Sequence, residues 1–390
     1  MKIDPYKNKE RWLKWKEKCE SGIPKLSKTN SEIILRYLED MEHGINISVS
    51  NIKGSRSYTR LNSLKERICF LAKLFKEKYN HEDIREINEL QLCRFFSEMK
   101  NGIIKRKDGE RYKSVADYVK IFKAFWHWHQ KTNSKQGIEI KDITTDLDTR
   151  YEKPRWVYLT EKQVKELSDN ASYDYKVLIM FLFDSGIRSP SELINIRVSD
   201  LYNECKELHI RDEISKTFGR RIKLMICSEL IRDYVIKKEL KPQDQVFPIK
   251  PYVVNRYLKR IALNLFGEKV SLAGEKYSEI TMYDFRHISC CYWLPRYKSE
   301  SALKFRFGWK KSDKIHYYSE LLGMRDTISE EDMLIDITKT EIEKRLTQSE
   351  NEKTLLQERV KVLEDQMQKF LQVVDKSINI GTEVLVVGVN

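Results

Sequence analysis

Only one stretch of this chain alternates as a strand does. Over 208–227, Ile210 and Ile214 and then Ile222, Leu224 and Ile226 fall between polar residues, about a turn at Phe218-Gly219. Period-two alternation marks half-buried strands, so this stretch reads as a β-hairpin. Elsewhere the apolar residues recur at helical spacing. Leu64, Ile68, Leu71 and Phe75 step by 4, 3 and 4; Val119, Phe122 and Trp126 repeat the stripe, and Phe125 and Trp128 widen it. The expected fold is mainly α with a small antiparallel β hairpin or sheet.

Breaks in the pattern suggest the organisation. Residues 1–135 read as a helical domain. Over 136–155 the periodicity lapses, and Gly137, Thr144-Thr145 and Pro154 mark a linker. Leu159-Thr160-Glu161-Lys162 opens a new helix with Thr160 as N-cap. An apolar helix over 175–183, a turn at Ser185-Gly186 and a further helix from about Ser189 follow. After the hairpin, 229–320 return to helix, broken near Pro242, Pro248, Pro251, Gly274 and Pro295. Residues 156–325 are thus expected to form a second, α+β domain. In the tail, Ile342, Leu346, Ser349, Lys353, Leu356, Val360, Leu363, Met367, Phe370 and Val374 alternate steps of 4 and 3. That spacing predicts a coiled coil over 326–380, interrupted by Ser349 and Lys353. A short apolar tail, 381–390, closes the chain.

Charge narrows the function. The 390 residues carry 72 basic and 59 acidic side chains, a net charge of +13. Residues 1–150 hold +10 of it, 151–330 hold +7, and the tail holds −4. A basic body is the footprint of a polyanion binder, nucleic acid before membrane. The charged N-terminus has no apolar signal core, and the longest apolar run, 177–183, is too short to span a bilayer. Seven scattered cysteines fit a reducing cytoplasm. No Walker loop, paired Cys-x-x-Cys or His-Glu-x-x-His occurs, so no ATP, metal or other cofactor is expected. His127 and His129, two apart on a helix, do not share a face and read as core-edge residues. Lys105, Arg106, Lys107, Arg111 and Lys113 surround Asp108-Gly109 in a loop suited to gripping phosphates.

Four segments are candidates for chemistry. Asp184-Ser185-Gly186-Ile187-Arg188-Ser189-Pro190-Ser191-Glu192-Leu193 sets an arginine at a glycine turn, with a glutamate on the helix expected after it. Ser215-Lys216-Thr217-Phe218-Gly219-Arg220-Arg221 lies at the hairpin tip. Tyr283-Asp284-Phe285-Arg286-His287 comes third. Gly308-Trp309 is followed nine residues later by Tyr318, within His316-Tyr317-Tyr318-Ser319-Glu320-Leu321-Leu322-Gly323.

In that order, with Arg188, Lys216, Arg286 and Tyr318 separated by 28, 70 and 32 residues, these segments resemble the tyrosine recombinases, the phage-type integrase family. The likeness covers roughly 155–325 well and the helical N-terminal part only weakly. It implies a helical core-binding domain over 1–135 and a DNA breaking-rejoining catalytic domain over 156–325. Arg188 and Arg286 would clamp a phosphate, Lys216 would protonate the leaving 5′-oxygen, and Tyr318 would be the nucleophile. The chemistry agrees with that division of labour. Guanidiniums give planar, always-charged, bidentate contacts to phosphoryl oxygens. A phenol can form a covalent phosphoester but is a weak nucleophile unless activated.

The sequence departs from the family pattern in places. Tyr283 stands where histidine is usual three residues before the second arginine, as in an archaeal-like variant, and leaves the general base open. Trp309 fills a later histidine or tryptophan position. One extra residue separates Arg188 from Glu192. Glu192 and His287 are expected to support the site. Tyr317 precedes Tyr318 and points about 100° away on a helix.

The expected function is a site-specific recombinase, or integrase, working through a 3′-phosphotyrosyl intermediate without metal or ATP. Its partners would be double-stranded DNA and copies of itself, as a tetramer, with no membrane or small-molecule substrate. Such a protein belongs to a mobile element and works in the cytoplasm on the nucleoid. Two alternatives stand beside it: a type IB topoisomerase-like relaxing enzyme, and a non-catalytic DNA-binding regulator derived from a recombinase.

Overall fold

The computed structural model describes residues 2–49, 51–297 and 299–322, with scattered positions between 349 and 368. Residues Met1–Leu321 form one compact unit and Leu322–Asn390 a second.

The first unit begins with five helices: α1 (Asn8–Lys18), α2 (Lys28–His43), α3 (Tyr58–Tyr79), α4 (Glu89–Lys100) and α5 (Val115–Ser134). Their starts follow capping chemistry. Ser27, Ser57 and Asn88 each accept a hydrogen bond from the backbone N–H three residues on. The stripes read from the sequence turn inward: Leu64, Ile68, Leu71 and Phe75 of α3 and Phe122, Phe125 and Trp128 of α5 are buried. Phe75 meets Phe95 edge-on at 4.9 Å, and Tyr37 meets Phe125 at 5.3 Å. The linker is not bare chain. Ile143 and Leu147 pack into this core, and Trp126 donates its indole N–H to the Lys141 carbonyl at 3.0 Å. A chain that buries two aliphatic side chains loses its polar periodicity without leaving the core. Asn195 ties the N-terminal segment to the later half, exchanging hydrogen bonds with the backbone of Ile3 at 2.7 and 3.0 Å.

The later half is built on α7 (Tyr173–Ser185), whose Val177, Leu178, Ile179, Phe181, Leu182 and Phe183 are all buried. Around it lie α6 (Glu161–Asp169), α8 (Ser228–Lys237) and α10 (Asp284–Trp293); α9 (Pro251–Phe266), α11 (Glu300–Phe307) and α12 (Asp313–Leu321) complete the set. Thr160 caps α6 and forms a capping box with Gln163. Pro251 opens α9 rather than breaking a helix, because a first-turn proline surrenders an N–H that has no partner anyway.

Two local expectations are corrected. The helix from Ser189, with Glu192 on it, does not form: a cis Ser189–Pro190 peptide is followed by two short 3-10 turns, Leu193–Asn195 and Val198–Asp200. Proline at that point withholds a helical N–H. The hairpin is also longer-tipped than the alternation suggests. Strands β2 (Glu207–Ile210) and β3 (Arg220–Lys223) pair Ile210 with Arg220, so 211–219 is loop. The Asp212 carboxylate accepts the Gly219 N–H at 2.6 Å and closes that loop. A short β1 (Leu201–Tyr202) adds a third antiparallel strand.

No helix among the described residues is long and apolar enough to cross a membrane. The coiled coil expected over 326–380 falls largely outside the described residues, and the 381–390 tail wholly so. The described positions between 349 and 368 are helical, and Leu356, Val360, Leu363 and Met367 are each more than half exposed.

Candidate active site

Two glycines at helix ends shape the centre. Gly186 ends α7 at φ 59°, and Gly308 ends α11 at φ 60°, both in the left-handed region that glycine enters freely. A side chain on Gly186 would meet Phe307 at 2.4 Å, and one on Gly308 would meet Arg220 at 2.9 Å. Each glycine offers its carbonyl to one arginine. Arg286 donates to the Gly186 oxygen at 2.7 Å and to the Phe307 oxygen. Arg188 donates to the Gly308 oxygen at 2.8 Å. Consecutive carbonyls at the negative end of α11 therefore draw the two guanidiniums together.

Glu192 holds them from the other side. Wholly buried, it accepts from the Arg188 guanidinium at 2.7 Å, from the Arg188 backbone N–H at 2.9 Å and from Arg220 at 2.9 Å. Burial pushes its carboxyl up, but Arg220 and Arg188 outweigh burial and hold it below the ordinary carboxylate range. Arg286 is pulled down to about 10 by burial and then by the Arg188 charge. Three guanidiniums around one carboxylate leave two surplus positive charges in a largely enclosed place. That surplus suits a phosphodiester better than a neutral ligand.

The phenol sits beside this cluster. Tyr318, on α12, is 2% exposed, and its hydroxyl is hydrogen-bonded to His287 Nδ1. Trp309 lies parallel to the Tyr318 ring at 6.0 Å, Trp156 meets it edge-on at 6.1 Å, and His287 stacks on Trp156 at 4.8 Å. Burial, above all, pushes the phenol well above its ordinary range, so it rests protonated. Tyr317 does other work. Its hydroxyl accepts from the Trp156 indole at 2.7 Å and donates to the Pro154 carbonyl at 3.1 Å, tying α12 to the chain that enters α6.

The structure therefore gathers Arg188, Glu192, Arg286, His287, Trp309 and Tyr318. Tyr283 stands at the rim, 49% exposed, with its ring edge-on to His287 at 5.2 Å. Lys216 is exposed on the 211–219 loop; its neighbour Thr217 reaches inward to the Gly308 carbonyl at 2.9 Å. Lys105, Arg106, Lys107, Arg111 and Lys113 are elsewhere, on an exposed turn between α4 and α5 where Lys105 bridges to Arg111. Arg106 pairs with Asp108 at 2.7 Å and Arg111 with Glu152 at 3.1 Å.

Sequence reasoning missed two members. Arg220 is buried in phase with Ile222 on the inward face of β3. A charge in phase with buried apolar residues demands a buried partner, and that signal was available. Trp156, the first residue of the expected second domain, carries no sequence signal for the site. A further buried pair, Arg306 with Asp184 at 3.0 Å, joins α11 to the end of α7.

A mainly helical domain with a small antiparallel sheet, paired arginines on adjacent carbonyls and a phenol stacked on the next residue defines a class, the tyrosine recombinase domains. Residues 157–325 match the model of the phage integrase family, and this part of the chain is a domain of that family. No curated protein sequence matches the chain. Among solved structures, the chain resembles the Tn1549 transposon integrase in complex with transposon right end DNA: TM-score 0.54, 14% identity, 79% of this chain and 98% of that one. It also resembles the XerH site-specific recombinase bound to palindromic difH substrate, with TM-score 0.52, 14% identity, and 87% and 100% coverage. A lambda integrase tetramer bound to a Holliday junction gives TM-score 0.51, 13% identity, and 78% and 80% coverage. At such identities the likeness is one of fold.

Proposed function

We propose that this protein is a site-specific DNA recombinase of the integrase type. The observation that carries the reading is local. Arg286 and Arg188 reach the successive carbonyls of Phe307 and Gly308, and the next residue, Trp309, stacks on Tyr318. A phosphodiester drawn to the two arginines would arrive beside the phenol.

In this reading Tyr318 Oη attacks the scissile phosphorus, the bond from phosphorus to the 5′-oxygen breaks, and a 3′-phosphotyrosyl link remains. Lys216 protonates the departing 5′-oxygen once the hairpin loop closes on DNA. Arg188 and Arg286 bind the nonbridging oxygens, and the Trp309 indole N–H adds a donor. Glu192 orients Arg188, and Tyr283 donates to phosphate from the rim. The covalent link preserves the phosphodiester's energy, so rejoining needs neither ATP nor metal. The exposed turn carrying Lys105, Arg106, Lys107, Arg111 and Lys113 grips the backbone of double-stranded DNA, with 1–135 and 156–325 clamping the duplex from opposite sides. Strand exchange requires a homo-oligomer, a tetramer on two duplexes, and the apolar helical positions from Leu356 to Met367 support self-association through a coiled coil. Integration or excision of a mobile element is the process that fits.

The test is trapping on nicked duplexes taken from DNA flanking the gene, with a chelator present and no ATP. The reading expects a denaturant-resistant protein–DNA adduct with a free 5′-hydroxyl. Tight binding without any adduct would overturn it.

A further inference from the structure

We propose that His287 is the base that takes the proton from Tyr318 as the phenol attacks. The inference rests on the recombinase reading and fills the one role that reading leaves open.

Tyr283 occupies the place where an imidazole is expected. A phenol donates a hydrogen bond but accepts a proton poorly unless it is already ionised. Four residues later on α10, His287 lies on the same face, since residues four apart are neighbours along a helix. The two rings touch, edge to face, at 5.2 Å. An imidazole one turn further on thus occupies the vicinity of the missing one.

His287 is also where a base must be. Its Nδ1 is hydrogen-bonded to the Tyr318 hydroxyl, the reacting atom itself. Geometry comes before acidity in judging a base, and this contact supplies it. The ring is held on two sides, stacked on Trp156 at 4.8 Å with the planes 30° apart and edged by Tyr283. Trp156 is fixed in turn by its hydrogen bond to Tyr317. A buried phenol that rests protonated gains most from a partner already in place.

The step balances. With the ring proton on Nε2, Nδ1 receives the Tyr318 proton while the bond from Oη to phosphorus forms and the bond to the 5′-oxygen breaks. That oxygen takes its proton from a separate donor, Lys216 in the proposed scheme. In rejoining, the 5′-hydroxyl attacks phosphorus, and the His287 imidazolium returns its proton to Tyr318 Oη as the phosphotyrosyl bond breaks. Among the described residues, the titratable and charged groups near His287 and the phenol it faces include Tyr318 from α12, Arg286, Cys290 and Cys291 from α10, and Tyr283 at the start of that helix. Trp156, on its other face, does not titrate.

The experiment measures single-turnover adduct formation on a nicked duplex from flanking DNA, across pH, for wild type, His287→Gln and His287→Ala. Melting curves and DNA affinities are taken alongside. Glutamine keeps a hydrogen bond to the phenol but cannot take its proton. The expected result is DNA affinity near wild type, a rate lower by about 10²–10⁴-fold in both variants, and loss of the acidic limb of the pH profile. Added imidazole should restore part of the rate to His287→Ala. A folded His287→Gln protein that reacts within about threefold of wild type, with the same pH profile, overturns the assignment and leaves the recombinase reading standing. Wild type that never forms an adduct overturns the reading beneath it.

Discussion

Replacing Glu192 with glutamine removes one negative charge and almost no volume from a place where both partners are enclosed. Glu192 is 0% and Arg220 2% exposed, and Arg188 shares the same carboxylate. Breaking one side of a buried ion pair costs about 3–5 kcal/mol, because the remaining charge stays desolvated. Glutamine keeps one acceptor oxygen, so the lower end, about 3 kcal/mol, is expected. At about 2.1 cal/mol/K per residue, the unit Met1–Leu321 shifts its melting point by about 1.5 °C per kcal/mol, so the variant should melt about 4–5 °C below wild type at neutral pH. The gap should itself depend on pH. The folded carboxyl sits below its ordinary value of 4.5, so its contribution is whole above that value and fades as pH falls through the lower folded one. Calorimetry from pH 7 down to the acid limit of folding measures both. A variant melting within about 2 °C of wild type at pH 7, or a gap that widens as pH falls, would refute the argument that this carboxylate holds the arginines.

Three further outcomes follow from the same structure. Gly186→Ala adds a side chain 2.4 Å from Phe307 at φ 59°; urea unfolding should show a loss of about 2–4 kcal/mol, and a loss below about 1 would mean the α7–α11 contact is looser than described. Lys105→Ala with Lys107→Ala should weaken DNA binding for every sequence alike and reduce the salt slope by about 2, whereas an unchanged slope in titrations would remove that turn from the interface. Leu363→Asp, at a 58% exposed apolar position of the tail, should lower the oligomer mass seen by light scattering without moving the melting point of the first unit.

Much of the fold was legible because the apolar stripes are long and the caps conventional. Leu64 to Phe75 and Val119 to Trp128 declared their faces, and Thr160 its helix start. The segment after Arg188 was not legible, because Leu193 and Ile194 look helical while Ser189-Pro190 sets a turn that periodicity does not register. The hairpin misled in a related way: Ile214 is buried under a loop rather than in a strand, and alternation does not distinguish the two. Within the site, Arg188, Arg286, Trp309 and Tyr318 could be found from order and spacing. The carbonyls of Gly186, Phe307 and Gly308 could not, since every residue has one and only the chain's path selects them. Trp156 belongs to the same category, brought to His287 and Tyr318 by a connection that local sequence does not encode.

The central claim is that the phosphate held by Arg188 and Arg286 is attacked by one particular oxygen. Tandem mass spectrometry of the protease-digested adduct, formed on a nicked duplex and trimmed by nuclease, reads that oxygen directly. The account predicts a single modified peptide carrying a 3′-linked nucleotide on Tyr318, absent from Tyr318→Phe. A modification on Tyr317 or Tyr283, or a link through the 5′-phosphate, would contradict it.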